Sequence, residues 1–186
     1  KDFYSQHKMQ PTSAEDFEQI LRKYATKDIS WFFKDYVSSN KKIDFTIDNL
    51  YKTRDSLRVT IKNKEKNDFP ISLYGLKDGE IVFKKWVENI DKTKTIEIAR
   101  QDVDRLALNY EQKIPEFNQR DNYKAVTKLF NKPLQLRLLQ DIEDPKYSQL
   151  FFMPEFNYNL YDGIAIGPKL YNKTVLSKTF NFSISP

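Results

Sequence analysis

The single histidine of this chain, His7, is the first residue to ask about, because imidazole ligates zinc and acts as a general base near neutral pH. A zinc peptidase helix needs two histidines on one face and a carboxylate to polarise water, as in H-E-x-x-H, and one histidine cannot supply them. A Ser-His-acid triad would have to use the same residue, and no G-x-S-x-G elbow accompanies it. His7 lies in a polar stretch ahead of the first helix signal, so it reads as an exposed bystander. Cysteine is absent, which removes thiolate nucleophiles, disulfides and Cys-based zinc sites. Gly-rich phosphate loops of either common type are missing as well.

Acidic groups are the remaining source of chemistry. Asp141, Glu143 and Asp144 stand together before Pro145, and carboxylates so spaced could share Ca²⁺. The stretch lacks the glycine and distal glutamate of an EF-hand loop, and a helix end or turn is the better reading. Glu116, Asp121 and Asn122 gather around Arg120, where structural hydrogen bonding outweighs catalysis. Lys62, Lys64 and Lys66 are the nearest approach to a basic stripe. They are broken by Asn63 and Glu65 and read as a solvated strand end and turn. The net charge of +5 is spread among acids, not gathered on one face with stacking aromatics, which argues against nucleic-acid binding. No catalytic, cofactor-binding or metal-ligating residue is therefore assigned on this chain.

These groups would be positioned by two kinds of element. Thr12 and Glu15 fit a capping box, with Phe17, Ile20, Leu21 and Tyr24 following at helical spacing, so a helix is expected over about 13–25. Asp28 can cap a second helix carrying Ile29, Phe32, Phe33 and Tyr36 on one face, ended by Ser38-Ser39-Asn40. Such aromatic stripes pack against a partner surface. From Ile43 the period falls to two: Ile43, Phe45 and Ile47, then Leu57, Val59 and Ile61, then Ile71 and Leu73. Lys77-Asp78-Gly79-Glu80 signals a hairpin, because Asp-Gly tolerates positive φ. Ile81, Phe83 and Trp86 follow, then Ile96 and Ile98, then Val103, Leu106, Leu108 and Tyr110. About seven short strands with one apolar face each suit an immunoglobulin-like sandwich, with Trp86 and Phe83 as core anchors.

Beyond Pro115-Glu116-Phe117-Asn118 the pattern weakens. Leu134, Leu136, Leu138 and Leu139 fit strand or helix. Residues 150–185 are rich in Phe, Tyr and Asn. Ile164 and Ile166 stand beside Gly163 and Gly167, and Phe180, Phe182 and Ile184 alternate strictly, as strands do. The fold class expected is α+β and mainly β: helices over 1–41, an antiparallel immunoglobulin-like sandwich over 42–122, and an irregular β-rich tail over 123–186. With 39% hydrophobic and 15% aromatic residues in 186, the chain can bury a core built on Phe, Tyr, Ile and Leu. No run of about 18 apolar residues marks a membrane helix. Lys1-Asp2-Phe3-Tyr4 shows neither an initiator Met nor a signal-peptide pattern, so the chain is expected to begin within a longer protein.

Asp28-Ile29-Ser30-Trp31-Phe32-Phe33-Lys34-Asp35-Tyr36, preceded by Thr12-Ser13-Ala14-Glu15-Asp16-Phe17, resembles the end of the catalytic domain in zinc aminopeptidases of the aminopeptidase N type. Phe69-Pro70-Ile71, Gly79 with Trp86, and Asn109-Tyr110 through Pro115-Glu116-Phe117-Asn118-Gln119-Arg120-Asp121-Asn122 resemble the small β-sandwich domain that follows it. The resemblance spans about residues 12–122. It implies a parent of the gluzincin kind whose zinc ligands, general base and transition-state Tyr lie upstream, so zinc belongs to the parent and no catalytic residue carries over. Phe156-Asn157-Tyr158-Asn159, Tyr161-Asp162-Gly163 and Gly167-Pro168-Lys169-Leu170-Tyr171-Asn172 resemble the start of an outer-membrane barrel fused behind such peptidases in Gram-negative bacteria. Export to the periplasm or outer membrane, and membrane association through that barrel, follow from the same likeness.

Two functions are weighed on these grounds. In one, the chain is a non-catalytic structural domain whose aromatic helices buttress the upstream catalytic domain, peptide substrate reaching it only through the parent. In the other, it is a module that binds a peptide or glycan through sandwich loops and surface aromatics. Burial of Trp31 and Phe32 against the sheet favours the first, and aromatic exposure at one end of the sandwich favours the second. Catalysis by the chain itself is set aside for want of His and Cys chemistry.

Overall fold

Residues 1–139, 142–161, 163–175 and 177–185 are described by a computed structural model. Three helical segments come first: α1 (Asp2–Gln6), α2 (Ala14–Tyr24) and α3 (Phe32–Val37). The helix expected over about 13–25 forms as α2, but its capping box lies one residue later than Thr12 and Glu15. Ser13 is the extended residue before the first helical one. Its hydroxyl accepts from the Asp16 N–H at 3.2 Å, and the Asp16 carboxylate accepts from the Ser13 N–H at 2.9 Å. In α3 the Ser38 N–H donates to the Phe33 carbonyl five residues back at 3.0 Å, a wide π-type turn where an ordinary helix was expected. It buries Phe33 and Asp35 together and leaves Tyr36 on the rim.

Seven strands then form two antiparallel layers: β1 (Phe45–Lys52), β2 (Ser56–Asn63), β3 (Ile71–Lys77), β4 (Glu80–Val87), β5 (Thr93–Ala99), β6 (Arg105–Leu108) and β7 (Tyr123–Ala125). One layer has the order β1-β2-β5 and the other β4-β3-β6-β7. The β3–β4 hairpin turns at Asp78 and Gly79, with φ of 48° and 95°, as an Asp-Gly turn requires. Phe45, Leu57, Val59 and Ile61 from the first layer meet Ile71, Leu73, Leu106 and Leu108 from the second in one core. Each such side chain removed from water contributes roughly 1.5–3 kcal/mol before the entropy of ordering it is set against the gain.

Trp86 does not anchor this core. Successive side chains of a strand point to opposite faces, so Phe83 and Trp86, three apart, cannot both point inward. Val87 takes the inner face and is buried, while Trp86 lies outside, 47% exposed. Phe83 packs against the core only partly, over Gly75, where an added Cβ would sit 2.1 Å from the Phe83 ring. The outer face of this layer has its own small cluster of Tyr74, Leu76, Ala107 and Tyr123.

A third sheet, ordered β11-β10-β9-β8, contains β8 (Leu134–Leu138), β9 (Ser148–Asn159), β10 (Gly163–Tyr171) and β11 (Ser183–Ile184). The leucine run left open between strand and helix is thus a strand, and it pairs parallel to β9. The β9–β10 and β10–β11 pairs are antiparallel. The molecule is α+β and mainly β, with this one parallel pair among antiparallel ones.

Directly paired residues share a face of a sheet. The registers therefore set Leu134, Leu136 and Leu138 beside Leu150 and Phe152, and set Phe156 beside Ile166, Tyr158 beside Ile164 and Phe152 beside Leu170. No charged residue occupies any position of this face among the described residues. Most of it is open to solvent, with Leu136 60% and Ile166 69% exposed. The opposite face holds Gln135, Arg137, Gln149, Glu155 and Lys169, joined by a Gln149–Gln135 hydrogen bond of 2.7 Å and a Lys169–Glu155 ion pair of 3.3 Å.

Candidate functional site

A concavity lies where α3 meets the end of the sandwich, with a cavity volume of about 1120 Å³. Phe69, placed at the entry to β3 by the turn before Pro70, is its floor. Trp31 packs on Phe69 edge-on at 5.2 Å and Tyr36 does so at 5.8 Å, while Phe32 stacks on Tyr36 at 5.5 Å. Trp86 forms the opposite wall, sent outward by the parity that keeps it from the core. Aromatic faces so arranged bind by burial and edge-to-face contact and supply no acid, base or nucleophile.

Polar groups fix this geometry. The buried Asp35 carboxylate accepts from Lys41 Nζ at 2.5 Å and from the Asp68 N–H at 3.0 Å, tying α3 to the segment that carries Phe69. Burial opposes its ionisation, but Lys41 and the Asp68 N–H outweigh that and hold it below the usual carboxylate range. Across the mouth, Lys27 donates to Glu88 at 2.7 Å, bridging the chain before α3 to the loop after β4. Beside Trp86 on the outer face, Lys84 lies over the rings of both Tyr74 and Trp86, at 5.2 Å and 5.6 Å.

The groups singled out in the sequence fall elsewhere. His7 stacks on Phe3 at 4.9 Å, and its Nδ1 lies 3.1 Å from the Phe3 carbonyl, at the far end of the helical region. Asp141 lies outside the described residues. Glu143 forms a close pair with Arg120 at 2.7 Å and is held by Lys178 at 3.8 Å, whereas Asp144 accepts from the Lys146 N–H at 2.9 Å in a turn. Lys64 pairs with Asp44 at 3.1 Å and with Asp121, so one of the three alternating lysines is engaged. Among the described residues no three His, Cys, Asp or Glu side chains converge as a metal site.

Glu116 is the group that the fold changes most. Its carboxylate is buried, accepting from Asn109 Nδ2 at 2.9 Å, Asn122 Nδ2 at 2.7 Å and the Phe45 N–H at 3.2 Å. Burial pushes its pKa up to about 7, against the pull of these donors. It pins the Pro115–Asp121 segment to the start of β1 and acts as a strut. The polar group expected around Arg120 is thus split: Glu116 and Asn122 face inward, while Arg120 and Asp121 face Glu143 and Lys64.

Sequence reasoning missed Asp35 and the aromatic cleft. Asp35 carries no signal, since its partners Lys41 and Asp68 are set by the return of the chain. The setting of Lys84 opposite Tyr74 and of Trp86 opposite Ser72 was not legible either, because a bulge at Gly75/Leu76 shifts the register that the Asp-Gly turn starts. Comparison with family models, with curated proteins and with solved structures finds no match. Among the described residues no helix is long and apolar enough to cross a membrane, which leaves strands untouched by the statement.

Proposed function

We propose that this chain is a non-catalytic structural module that buttresses an upstream catalytic domain, the parent being a zinc aminopeptidase-like protein exported to the periplasm or outer membrane. The observation that carries the reading is an asymmetry between two helices. α3 is docked on the module, with Phe33 and Asp35 buried and Trp31 packed on its core, whereas α2 buries no residue at all. Phe17, Ile20, Leu21 and Tyr24 nevertheless lie along one side of α2. A helix so patterned is stabilised by covering that side, and a catalytic domain preceding it in the chain supplies the cover. The strand order β1-β2-β5 against β4-β3-β6-β7 supports an immunoglobulin-like description of the module.

Zinc content and aminopeptidase activity, measured side by side on this chain and on a polypeptide extended upstream, test the reading. Zinc and activity confined to the longer polypeptide are expected. Stoichiometric zinc or turnover in the chain alone overturns it. A second reading, a module that binds a peptide or glycan, is favoured by the half-exposed Trp86 and Tyr36 at the open cleft. A metal-free and inactive longer polypeptide, together with ligand-induced quenching of tryptophan fluorescence that Trp86→Ala abolishes, would establish that reading instead.

A further inference from the structure

We infer that β10 pairs edge to edge with the β10 of a second copy of this chain, across a two-fold axis through Ala165. Much of the β10 edge is open: β11 pairs with it only at Leu170 and Tyr171, and among the described residues no strand covers it from Gly163 to Lys169. Ladder parity decides which groups stand there. Asn172 donates its N–H to the Phe182 carbonyl at 3.3 Å, on the β11 side, so every second residue back from it turns its backbone the same way. Those residues are Leu170, Pro168, Ile166 and Ile164. The prolines agree, since Pro168 and Pro154 stand opposite each other at a position where the β9–β10 ladder asks for no N–H. Ile164 and Ile166 therefore present N–H and C=O groups along an exposed edge, a template for one more strand.

The residues of that edge select its own copy as the added strand. Gly163-Ile164-Ala165-Ile166-Gly167 reads the same in both directions. Laid antiparallel on itself, it sets Ile164 opposite the partner's Ile166, Gly163 opposite the partner's Gly167, and Ala165 opposite its own counterpart on the axis. In that register both isoleucine pairs exchange N–H and C=O groups, while Pro168 falls beyond them and is not asked to donate. The isoleucines of each pair share a face, where β-branched neighbours on adjacent strands stabilise each other. Charge permits pairing at this edge and discourages it elsewhere. Gly163 to Pro168 carries none, whereas the outermost strands β1, β4, β5 and β8 carry Asp48, Lys85, Glu97 and Arg137. The contact is closed, because each copy presents the same patch and uses it up. It involves no residue of α2, α3 or the sandwich and is independent of the buttressing role.

Sedimentation of the full chain together with single cysteine variants tests the pairing. At micromolar concentration the wild-type chain is expected to sediment with the mass of two copies. Ile166→Pro withdraws an outward N–H without touching a bond to β9, as Pro168 already does further along, and is expected to weaken the dimer about ten-fold or more. Because the chain has no cysteine, Ala165→Cys reports the register by itself. Opposed residues that exchange no hydrogen bonds have Cα atoms about 4.5 Å apart, within disulfide reach, so mild oxidation is expected to link these chains in pairs. Leu136→Cys, also exposed but on β8, is expected to stay unlinked, and far-UV circular dichroism verifies that each variant is folded. A wild-type chain that stays monomeric overturns the inference, as does a dimer that Ile166→Pro leaves intact. Linkage of Leu136→Cys as fast as Ala165→Cys also overturns it, since the copies would then meet through the apolar face. A mass that keeps growing past two copies does so too, because a closed pair adds no third.

Discussion

The sandwich and the C-terminal sheet use the same alternation of apolar and polar residues and arrive at opposite outcomes. In β2, Leu57, Val59 and Ile61 alternate and all three are fully buried, because a second layer stands over them. In β8, Leu134, Leu136 and Leu138 alternate just as strictly and all three are exposed, because no second layer faces that side. Period-two patterning thus specifies a two-faced strand and leaves open what covers its apolar face. In the sandwich the cover is protein. In the third sheet no described element supplies one, and Leu134, Leu136 and Leu138 stay open to solvent.

The largest test of this contrast is a matched pair of truncations. Leu73→Ala in the sandwich core is expected to destabilise by about 2–5 kcal/mol, since it removes transfer energy and leaves a cavity. Leu136→Ala in β8 is expected to change stability by no more than about 0.5 kcal/mol in water, because its side chain is already solvated. Urea denaturation of both variants measures the difference, and equal losses would show that β8 is covered after all.

Next in size is a pH dependence seated in the sandwich alone. Glu116 has its folded pKa raised to about 7 from an ordinary 4.5, so the folded state binds the proton more tightly than the unfolded one. Its contribution is therefore fully present below about pH 4.5 and is lost as pH rises to about 7, a fall of up to roughly 3 kcal/mol in unfolding free energy. Glu116→Gln should flatten that slope in urea titrations across this window. A slope that survives the substitution assigns it to other groups.

A smaller effect is expected at the junction of α3 with the sandwich. Asp35→Ala removes the charged acceptor of the Asp68 N–H and frees Lys41, for a cost of about 1–3 kcal/mol. Because Asp35 positions Phe69 and the aromatic cleft, near-ultraviolet circular dichroism should change along with stability. Loss of stability with an unchanged aromatic signal would detach Asp35 from the cleft. The smallest effect is expected at Gly163, whose φ of 74° suits glycine and where an added Cβ meets no atom. Gly163→Ala should cost about 1 kcal/mol through backbone strain alone, against a larger penalty for Gly75→Ala, where the Phe83 ring blocks the methyl.

The sequence by itself determined the local elements. Apolar spacing of 3.6 gave α2, spacing of two gave the strands, and Asp78-Gly79 placed the hairpin, because these depend on neighbours a few residues away. That Phe83 and Trp86 cannot share a face was implicit in their distance of three residues, but the bulge at Gly75/Leu76 decided that Trp86 is the one outside. Only the tertiary structure decided which apolar faces are covered, that β8 runs parallel to β9, and that Glu116 reaches Phe45 across 71 residues. It alone joined Asp35 to Asp68 and Trp86 to the aromatic cleft. The physical reason is that burial and hydrogen-bond partnership are properties of pairs brought together by chain return, and a single sequence records each partner without recording the meeting.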